Sequence, residues 1–533
     1  MYKNLKYCLL LFLSTTFFLA SCVKSKEEGA EEKKDIYDSI HKVTIHVMPD
    51  DILEEESDSI KKYYAAFDGY EIWYDRGNRE DLIAQIEQAK VEGLNPEDYN
   101  LSEIYAQEVV RDSLKKEDLL HYDVLLTKTF EKLATHFYKG KLNPKEIYSN
   151  WDLFEKRVAI SSVLHQAISE KGVTATLQGL LPKHQEYLNL KKALVEIDKF
   201  ADITFDSLRF SKKIVLNDTV PLVIKIKKRL QYWNDYKNKD SVFTAIYDTV
   251  AFRAMKKFQL RHGLLADGII GAGTIKALNY SKGTRKNQIL ANLERWRWFP
   301  SDFGTNYILI NLPAFELNYV SNKDALATRR VVVGRPKRMS PILSSKLSNF
   351  VLNPTWTVPP TIIKEDLSVE AAKNRSYFSR SRITIYNSKN QEVSPALWNA
   401  SKSNNYRYVQ KPGYTNSLGI VKFNFPNSHL VYLHDTNHRE LFSVSQRALS
   451  SGCIRVENPL ALAKQILHLQ DGERWQTSEI DSIIKKEKTY TIKVKEPVFV
   501  HILYWTATYK NNKMCFKDDM YNLDKKLYEK LRS

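Results

Sequence analysis

Leu430-Val431-Tyr432-Leu433-His434, followed by Ser450-Ser451-Gly452-Cys453-Ile454-Arg455, is the stretch that decides how the C-terminal part of this chain folds and what it can do. The first run is apolar, β-branched and aromatic, and reads as a short buried strand with an imidazole at its end. Nineteen residues after that histidine stands a cysteine, preceded by a glycine that frees the backbone at a turn. Taken singly, each group has a bland reading: the thiol as a buried loop cysteine, the imidazole as a satisfied core histidine. Taken together, a thiol and a histidine brought to one place supply a cysteine nucleophile with its base.

Working outward, Tyr307-Ile308-Leu309-Ile310-Asn311-Leu312, Arg330-Val331-Val332-Val333-Gly334, Phe350-Val351-Leu352-Asn353 and Ile420-Val421-Lys422-Phe423-Asn424-Phe425 are short strand-like runs punctuated by Gly, Pro and Asn. They predict a β-rich domain over 304–510. Residues 363–411 are polar and less periodic, and are expected to form a lid or cap over a cleft. Thr489 to Thr508 returns to strand-like alternation and is expected to close the sheet. The remainder, 511–533, is a C-terminal extension.

Upstream the period changes. From 36 to 215 apolar residues recur at helical spacing, as in Asp81-Leu82-Ile83-Ala84-Gln85-Ile86-Glu87-Gln88-Ala89, which Gly93-Leu94-Asn95-Pro96 should stop. Val124 through Tyr138 repeats the pattern up to Gly140 and Pro144. This region reads as a helical scaffold without a chemical constellation. Residues 216–282 contain Phe258-Gln259-Leu260-Arg261-His262-Gly263-Leu264, Asp267-Gly268-Ile269-Ile270-Gly271 and Thr274-Ile275-Lys276-Ala277-Leu278-Asn279. Gly263 and Gly268 suit tight turns and Thr274 suits a helix cap. These motifs resemble the three-helix peptidoglycan-binding domain, which implies either retained glycan binding or a spacer. Ile289 to Trp298, within 283–303, reads as a linker helix. The fold class is therefore multidomain α+β.

At the amino terminus Lys3 and Lys6 precede an apolar stretch, Leu9 to Phe18, too short for a stable membrane span. Residues 1–21 read as a signal peptide. Leu19-Ala20-Ser21-Cys22 resembles a bacterial lipobox, which implies a lipid anchor at Cys22, a partner membrane, and a place in the cell envelope facing the periplasm, with the outer membrane favoured because Val23 follows. An ordinary secretory signal is the alternative. Residues 22–35 are charged or small and form a tether.

The net charge of +17 suits anionic partners such as wall polymers or lipid headgroups. No nucleic-acid motif accompanies it, and the basic residues are not gathered into one stripe, so nucleic acid is not an expected partner. After Cys8 and Cys22, the cysteines left are Cys453 and Cys515. A disulfide between them is possible in an exported chain, but two cysteines do not make a stapled scaffold, and Cys453 reads as a free thiol. His438 makes an H-x-x-x-H spacing with His434, yet turn residues intervene and no third ligand stands nearby, so neither metal nor cofactor is expected.

His434, fifteen intervening residues and then Ser450-Ser451-Gly452-Cys453-Ile454-Arg455 is similar to the signature of L,D-transpeptidases with the YkuD-type catalytic domain. Val333-Gly334-Arg335-Pro336, Asn353-Pro354-Thr355-Trp356-Thr357-Val358-Pro359 and Lys411-Pro412-Gly413-Tyr414-Thr415-Asn416-Ser417-Leu418-Gly419 extend the resemblance, which looks like the large, lid-bearing subgroup. Ser451 stands where many relatives carry His. The resemblance implies Cys453 as nucleophile, His434 as general base and acid, the backbone carbonyl of Asp435 as orienter of the imidazole, and the Gly452 N–H as an oxyanion donor. It implies Arg455, Ser451, Tyr414 and Asn416 as substrate-binding residues, with Arg455 holding either a stem carboxylate or the loop. The implied reaction is acyl transfer from a peptidoglycan tetrapeptide stem through a thioester, with release of D-alanine and formation of 3–3 cross-links, by a monomer. An L,D-carboxypeptidase and a non-catalytic wall-binding lipoprotein are the alternatives.

Overall fold

The computed structural model describes residues 45–153, 155–237, 242–472 and 474–533. The expected signal peptide and tether, with Cys22, lie outside the described residues. Among those described, no helix is long and apolar enough to cross a membrane. The chain divides into two compact units.

The first unit takes in residues 45–86, 99–133 and 159–177 and is helical. Its centre is a buried carboxylate: Asp123 accepts from the Tyr64 hydroxyl at 2.5 Å and from the Ile72 and Trp73 N–H groups at 3.1 and 2.6 Å. Burial pushes this carboxyl up to about 6, against the pull of those donors.

The second unit takes in 87–98, 134–158 and 178–533. The helix Arg76–Gln88 passes through a 3-10 turn to Gly93, whose left-handed φ of 80° ends it as expected. Three helices, Leu222–Tyr232, Thr249–Arg261 and Ala272–Leu278, form the small module. Thr274 does not cap the third. That helix starts one turn earlier, with Gly271 at its N-cap, and Thr274 is buried, its hydroxyl meeting the Gln259 amide at 3.3 Å.

The segment expected as a linker is instead a core element. In the helix Lys282–Trp298 every residue from Gln288 to Trp298 is buried, and a helix buried all round must supply partners for its polar groups. Asn292 is held by Thr506 on both its amide atoms. Arg297 pairs with Glu294 at 2.5 Å. Arg295 pairs with Asp524 at 2.5 Å and donates to the Tyr148 hydroxyl at 3.0 Å. The C-terminal helix Leu523–Arg532 thus closes over this core rather than trailing from it.

The β-rich part of this unit is a twelve-stranded mixed sheet. Across it run Trp151–Asp152, Ile342–Lys346, Phe499–Leu503, Asn306–Asn311, Glu316–Ser321, Asp324–Gly334, Ile454–Val456, Leu433–His434, Val421–Asn424, Asn349–Leu352 and Tyr490–Lys493, with Ala448–Ser450 beside Asp324–Gly334. Alternation sets its faces: Val421 and Phe423 are buried while Lys422 and Asn424 are half-buried opposite. Two expectations change here. The run from Leu430 yields a strand only at Leu433–His434, because Leu430 is left-handed, φ 56°, and breaks the pairing. The segment expected to close the sheet divides, Tyr490–Lys493 lying at an edge and Phe499–Leu503 in the interior.

The insert is not merely polar cover. Trp356–Thr357, Arg407–Gln410, Ile383–Tyr386 and Glu392–Val393 make a separate four-stranded sheet. Its own core includes Ile363, Leu367, Phe378, Ile385, Trp398 and Tyr408, and the Trp398 indole donates to the Tyr408 hydroxyl at 2.7 Å.

Candidate active site

Register brings Cys453 and His434 to neighbouring strands. The Leu433–His434 and Ile454–Val456 strands are parallel, with Leu433 opposite Ile454 and His434 opposite Arg455, and the Ile454 N–H donates to the Tyr432 carbonyl at 3.2 Å. Cys453 therefore lies beside Tyr432 and one residue from the level of His434, on strands that neighbour at about 4.8 Å. On the other side Lys422 is paired with His434. One patch of sheet thus carries a thiol, an imidazole, a phenol and two cations.

The turn that presents Cys453 is folded by its own hydroxyls. Ser450 Oγ donates to the Cys453 carbonyl at 2.6 Å and accepts from the Gly452 N–H at 3.1 Å. Gly452 has φ 115°, which a side chain would strain. Ser340 Oγ donates to the Gly452 carbonyl at 2.7 Å, and the Gly334 N–H donates to Ser340 Oγ at 2.9 Å. A Cβ on Gly334 would sit 2.2 Å from the Arg338 carbonyl oxygen, so this loop reaches the Cys453 turn only with glycine there.

Burial pushes the Cys453 thiol above its ordinary value of 9.0, against the pull of Tyr432, Lys422 and Arg455. Burial also drives His434 down to about 3, helped by Arg455 and Lys422, while the Asp435 backbone favours its protonation. At neutral pH the pair rests as thiol and neutral imidazole. A neutral imidazole is the form that can take a proton. The cations stabilise a thiolate once formed. Alkylation of Cys453 by iodoacetamide is therefore expected to climb with pH through 9.0. A rate already level between pH 5 and 8 would reveal a preformed thiolate–imidazolium pair and contradict this assignment.

The other expected residues divide. Arg455 is half-buried beside Cys453, makes no ion pair among the described residues, and its Nε is buried without a partner. It is therefore not committed to holding the loop. Asp435 N–H bonds the Val421 carbonyl, and its buried carboxylate accepts from the Ile420 N–H at 3.0 Å and from Arg439 at 2.7 Å. His434 Nδ1 is buried without a hydrogen bond of ordinary geometry, although the Asp435 backbone still favours the protonated ring. Two expectations are corrected. The Gly452 N–H is occupied by Ser450 Oγ, because the left-handed turn folds it back, so it meets a substrate oxygen only after that bond opens. Asn416 is 0% exposed, and its amide serves the Pro354, Gln410 and Lys411 carbonyls and the Leu418 N–H. It is a loop clamp, not a substrate contact. Tyr414, by contrast, is 59% exposed. Asn416→Ala is expected to lower unfolding free energy by about 1–3 kcal/mol in urea titrations, because it strands buried backbone groups. Tyr414→Ala should change it by less than about 0.5 kcal/mol.

Ser451 is exposed and accepts from Arg338 at 2.8 Å. Arg338 also pairs with Glu365 and, at 3.4 Å, with Asp366 of the insert. Trp356, just before the insert and on a strand of its sheet, reaches the Tyr432 hydroxyl, which also faces Cys453. One tie of the insert and one of the strand that precedes it thus stand beside Cys453. Tyr432 and Lys422 were missed by sequence reasoning. The two-residue period would have placed Tyr432 on the face of His434, and a lysine alternating with buried Val421 and Phe423 was a signal for the other.

Cys453 and Cys515 are both free thiols, each half-buried. His438 bonds Glu440 at 3.1 Å, and no group of metal-binding side chains occurs among the described residues.

Residues 305–500 match the family model for the L,D-transpeptidase catalytic domain. This domain is of the L,D-transpeptidase family. Residues 219–278 match the "Putative peptidoglycan binding domain", and 58–194 match a scaffold domain. A Haemophilus influenzae protein named "Putative L,D-transpeptidase" is 36% identical over 251 residues, covering 46% of this chain and 50% of that protein. The chain thus matches half the length of that relative. Among solved structures, L,D-transpeptidase 1 of Mycobacterium tuberculosis is 13% identical with a TM-score of 0.16, covering 37% of this chain and 61% of that one. An L,D-transpeptidase from Stackebrandtia nassauensis is 12% identical with a TM-score of 0.19, covering 56% and 97%. These two likenesses carry no argument about function.

Proposed function

We propose that the L,D-transpeptidase domain forms 3–3 cross-links in peptidoglycan, using Cys453 and His434. The observation that carries this reading is the parallel register that sets Cys453 beside Tyr432 and His434 beside Arg455, within a domain matching that family. His434 takes the thiol proton as the sulfur attacks the carbonyl of the third residue of a tetrapeptide stem. The peptide bond to the terminal D-alanine breaks, its nitrogen takes up that proton, and the stem remains as a thioester on Cys453. The side-chain amine of a second stem then attacks the thioester, His434 accepts its proton, and the thiol is restored. Arg455 and Lys422 lower the energy of the thiolate, and the unpaired Arg455 suits a stem carboxylate. The insert, tied to Ser451 by Arg338, shelters the thioester from water.

The same reading places the protein in the cell envelope, held by a lipid on Cys22 and facing the periplasm. Mass spectrometry of muropeptides after incubation with donor tetrapeptides tests the reaction. Dimers joined between third residues support transpeptidation. Tripeptides without dimers would replace it with carboxypeptidation, and an unchanged profile would leave a wall-binding protein.

A further inference from the structure

A second group of buried cations lies outside the active site. His262, Lys276, Arg285, Lys517 and Asp518 line a cavity of about 40 Å³. It lies where the small module meets the start of the helix Lys282–Trp298 and the chain that follows the strand Lys513–Phe516. None of the residues assigned to the chemistry at Cys453 lines it. One water needs about 10–15 Å³ of such space, so the cavity holds about three waters or one small oxyanion. It is far below the size that a sugar ring or a peptide segment requires.

Arg285 is 2% exposed and His262 6%. The Arg285 guanidinium is clamped between the Tyr280 and Phe516 rings, at 4.3 and 4.5 Å. It donates to Gln288 Oε1 at 2.7 Å and to the Ala277 carbonyl at 3.2 Å, both neutral acceptors. Its Nε–H makes no hydrogen bond among the described residues, and burial pulls the group below its ordinary value. Lys517 is half-buried, with its stem laid over Gly263, where a Cβ would sit 2.6 Å from Lys517 Cδ. Its Nζ has neither a hydrogen bond nor an ion pair among the described residues. The one carboxylate in the lining, Asp518, is taken up by Lys276 at 2.7 Å and by the Tyr280 hydroxyl at 3.4 Å. Two cations without a counter-charge thus border one small space, and charge withdrawn from water without compensation is costly.

His262 adds a different demand. Its ring stacks on Phe258 with centroids 3.9 Å apart, and its Nδ1–H goes to the Phe258 carbonyl at 2.7 Å. Burial, with Arg261, Arg285 and Lys517 around it, keeps the imidazole neutral. Its Nε2 is therefore an acceptor, and no donor of the described residues meets it. A ligand that suits this lining is anionic, accepts from a guanidinium and an ammonium, and still has a proton to give. Halides and sulfate accept but donate nothing. Water does both, yet leaves the two charges uncompensated. Phosphate, which keeps a proton at neutral pH, meets all three demands.

We propose that this cavity binds a small protonated oxyanion of the hydrogenphosphate class, held by Arg285 and Lys517 and distinguished from other anions by His262. The site is independent of the reading of Cys453.

The test is isothermal titration calorimetry of the full chain, in detergent, with sodium phosphate, sulfate and chloride at neutral pH and matched ionic strength. Phosphate is expected to bind about tenfold more tightly than sulfate, the worth of one buried hydrogen bond to an otherwise unpaired group, and chloride to give no binding heat. His262→Phe keeps the stack on Phe258 and removes the acceptor, so it should bring phosphate and sulfate to within about twofold of each other. Lys517→Gln should weaken phosphate about tenfold through loss of a charge-assisted bond, and serves if His262→Phe fails to fold. Glycerol phosphate separates the sources of this group: affinity equal to that of phosphate assigns the head of a phosphomonoester, weaker binding assigns the free ion, and both uphold the site. The site is overturned if wild type binds phosphate no better than chloride, if sulfate binds as tightly as phosphate, or if Lys517→Gln leaves phosphate binding unchanged.

Discussion

Replacing His434 with Gln is expected to slow acylation of Cys453 by about 10²–10⁴-fold at neutral pH, the range ordinarily supplied by a positioned general base. The other groups on that patch of sheet offer no substitute. Lys422 and Arg455 are cations, and burial together with the neighbouring thiol drives the Tyr432 phenol far above its ordinary range, so it keeps its proton. Because burial keeps the Cys453 thiol protonated near neutrality, loss of the acceptor should be partly relieved as pH rises and solvent removes the proton instead. Intact-mass time courses across pH read both effects. A slowdown of less than about threefold, or one independent of pH, would assign His434 a packing role.

A second large effect is expected far from the chemistry. Asp524→Ala should cost about 3–5 kcal/mol of stability, because it leaves Arg295 as an uncompensated charge in the core. Burial alone would lower the Arg295 guanidinium, yet Tyr148, Asp524 and Asp519 together raise it above its ordinary value, so it stays charged. Asp524 lies on the last helix, so the extension 511–533 is part of the folding unit. Denaturant titration of the variant is the measurement. A change below about 1 kcal/mol would mean that Asp519 takes over the pairing.

The sequence disclosed local chemistry more readily than long-range partnership. His434 and Cys453 were legible because residue types and spacing are one-dimensional signals, and Gly93 and Gly140 were legible as helix stops because left-handed backbone favours glycine. The helix 282–298 was underread: its arginines look solvent-exposed until Asp524, Glu294 and Tyr148 are brought to them from distant parts of the chain. Asn416 was misread because its short polar side chain suits a ligand contact or a loop clamp equally, and only the four backbone groups around it decide. Likewise the Gly452 N–H looked available until Ser450 turned back to meet it. The insert's core went unseen since Phe378, Trp398 and Tyr408 are widely spaced and meet only in three dimensions.

The central claim is that Cys453 carries the acyl group, and intact-mass analysis of the full chain with a tetrapeptide donor tests it most directly. The expected result is a mass gain equal to the stem less its terminal D-alanine, mapped to Cys453, with free D-alanine released in equal amount and no adduct on Cys453→Ala. An equal adduct on that variant, or D-alanine release without any dependence on Cys453, would contradict the account.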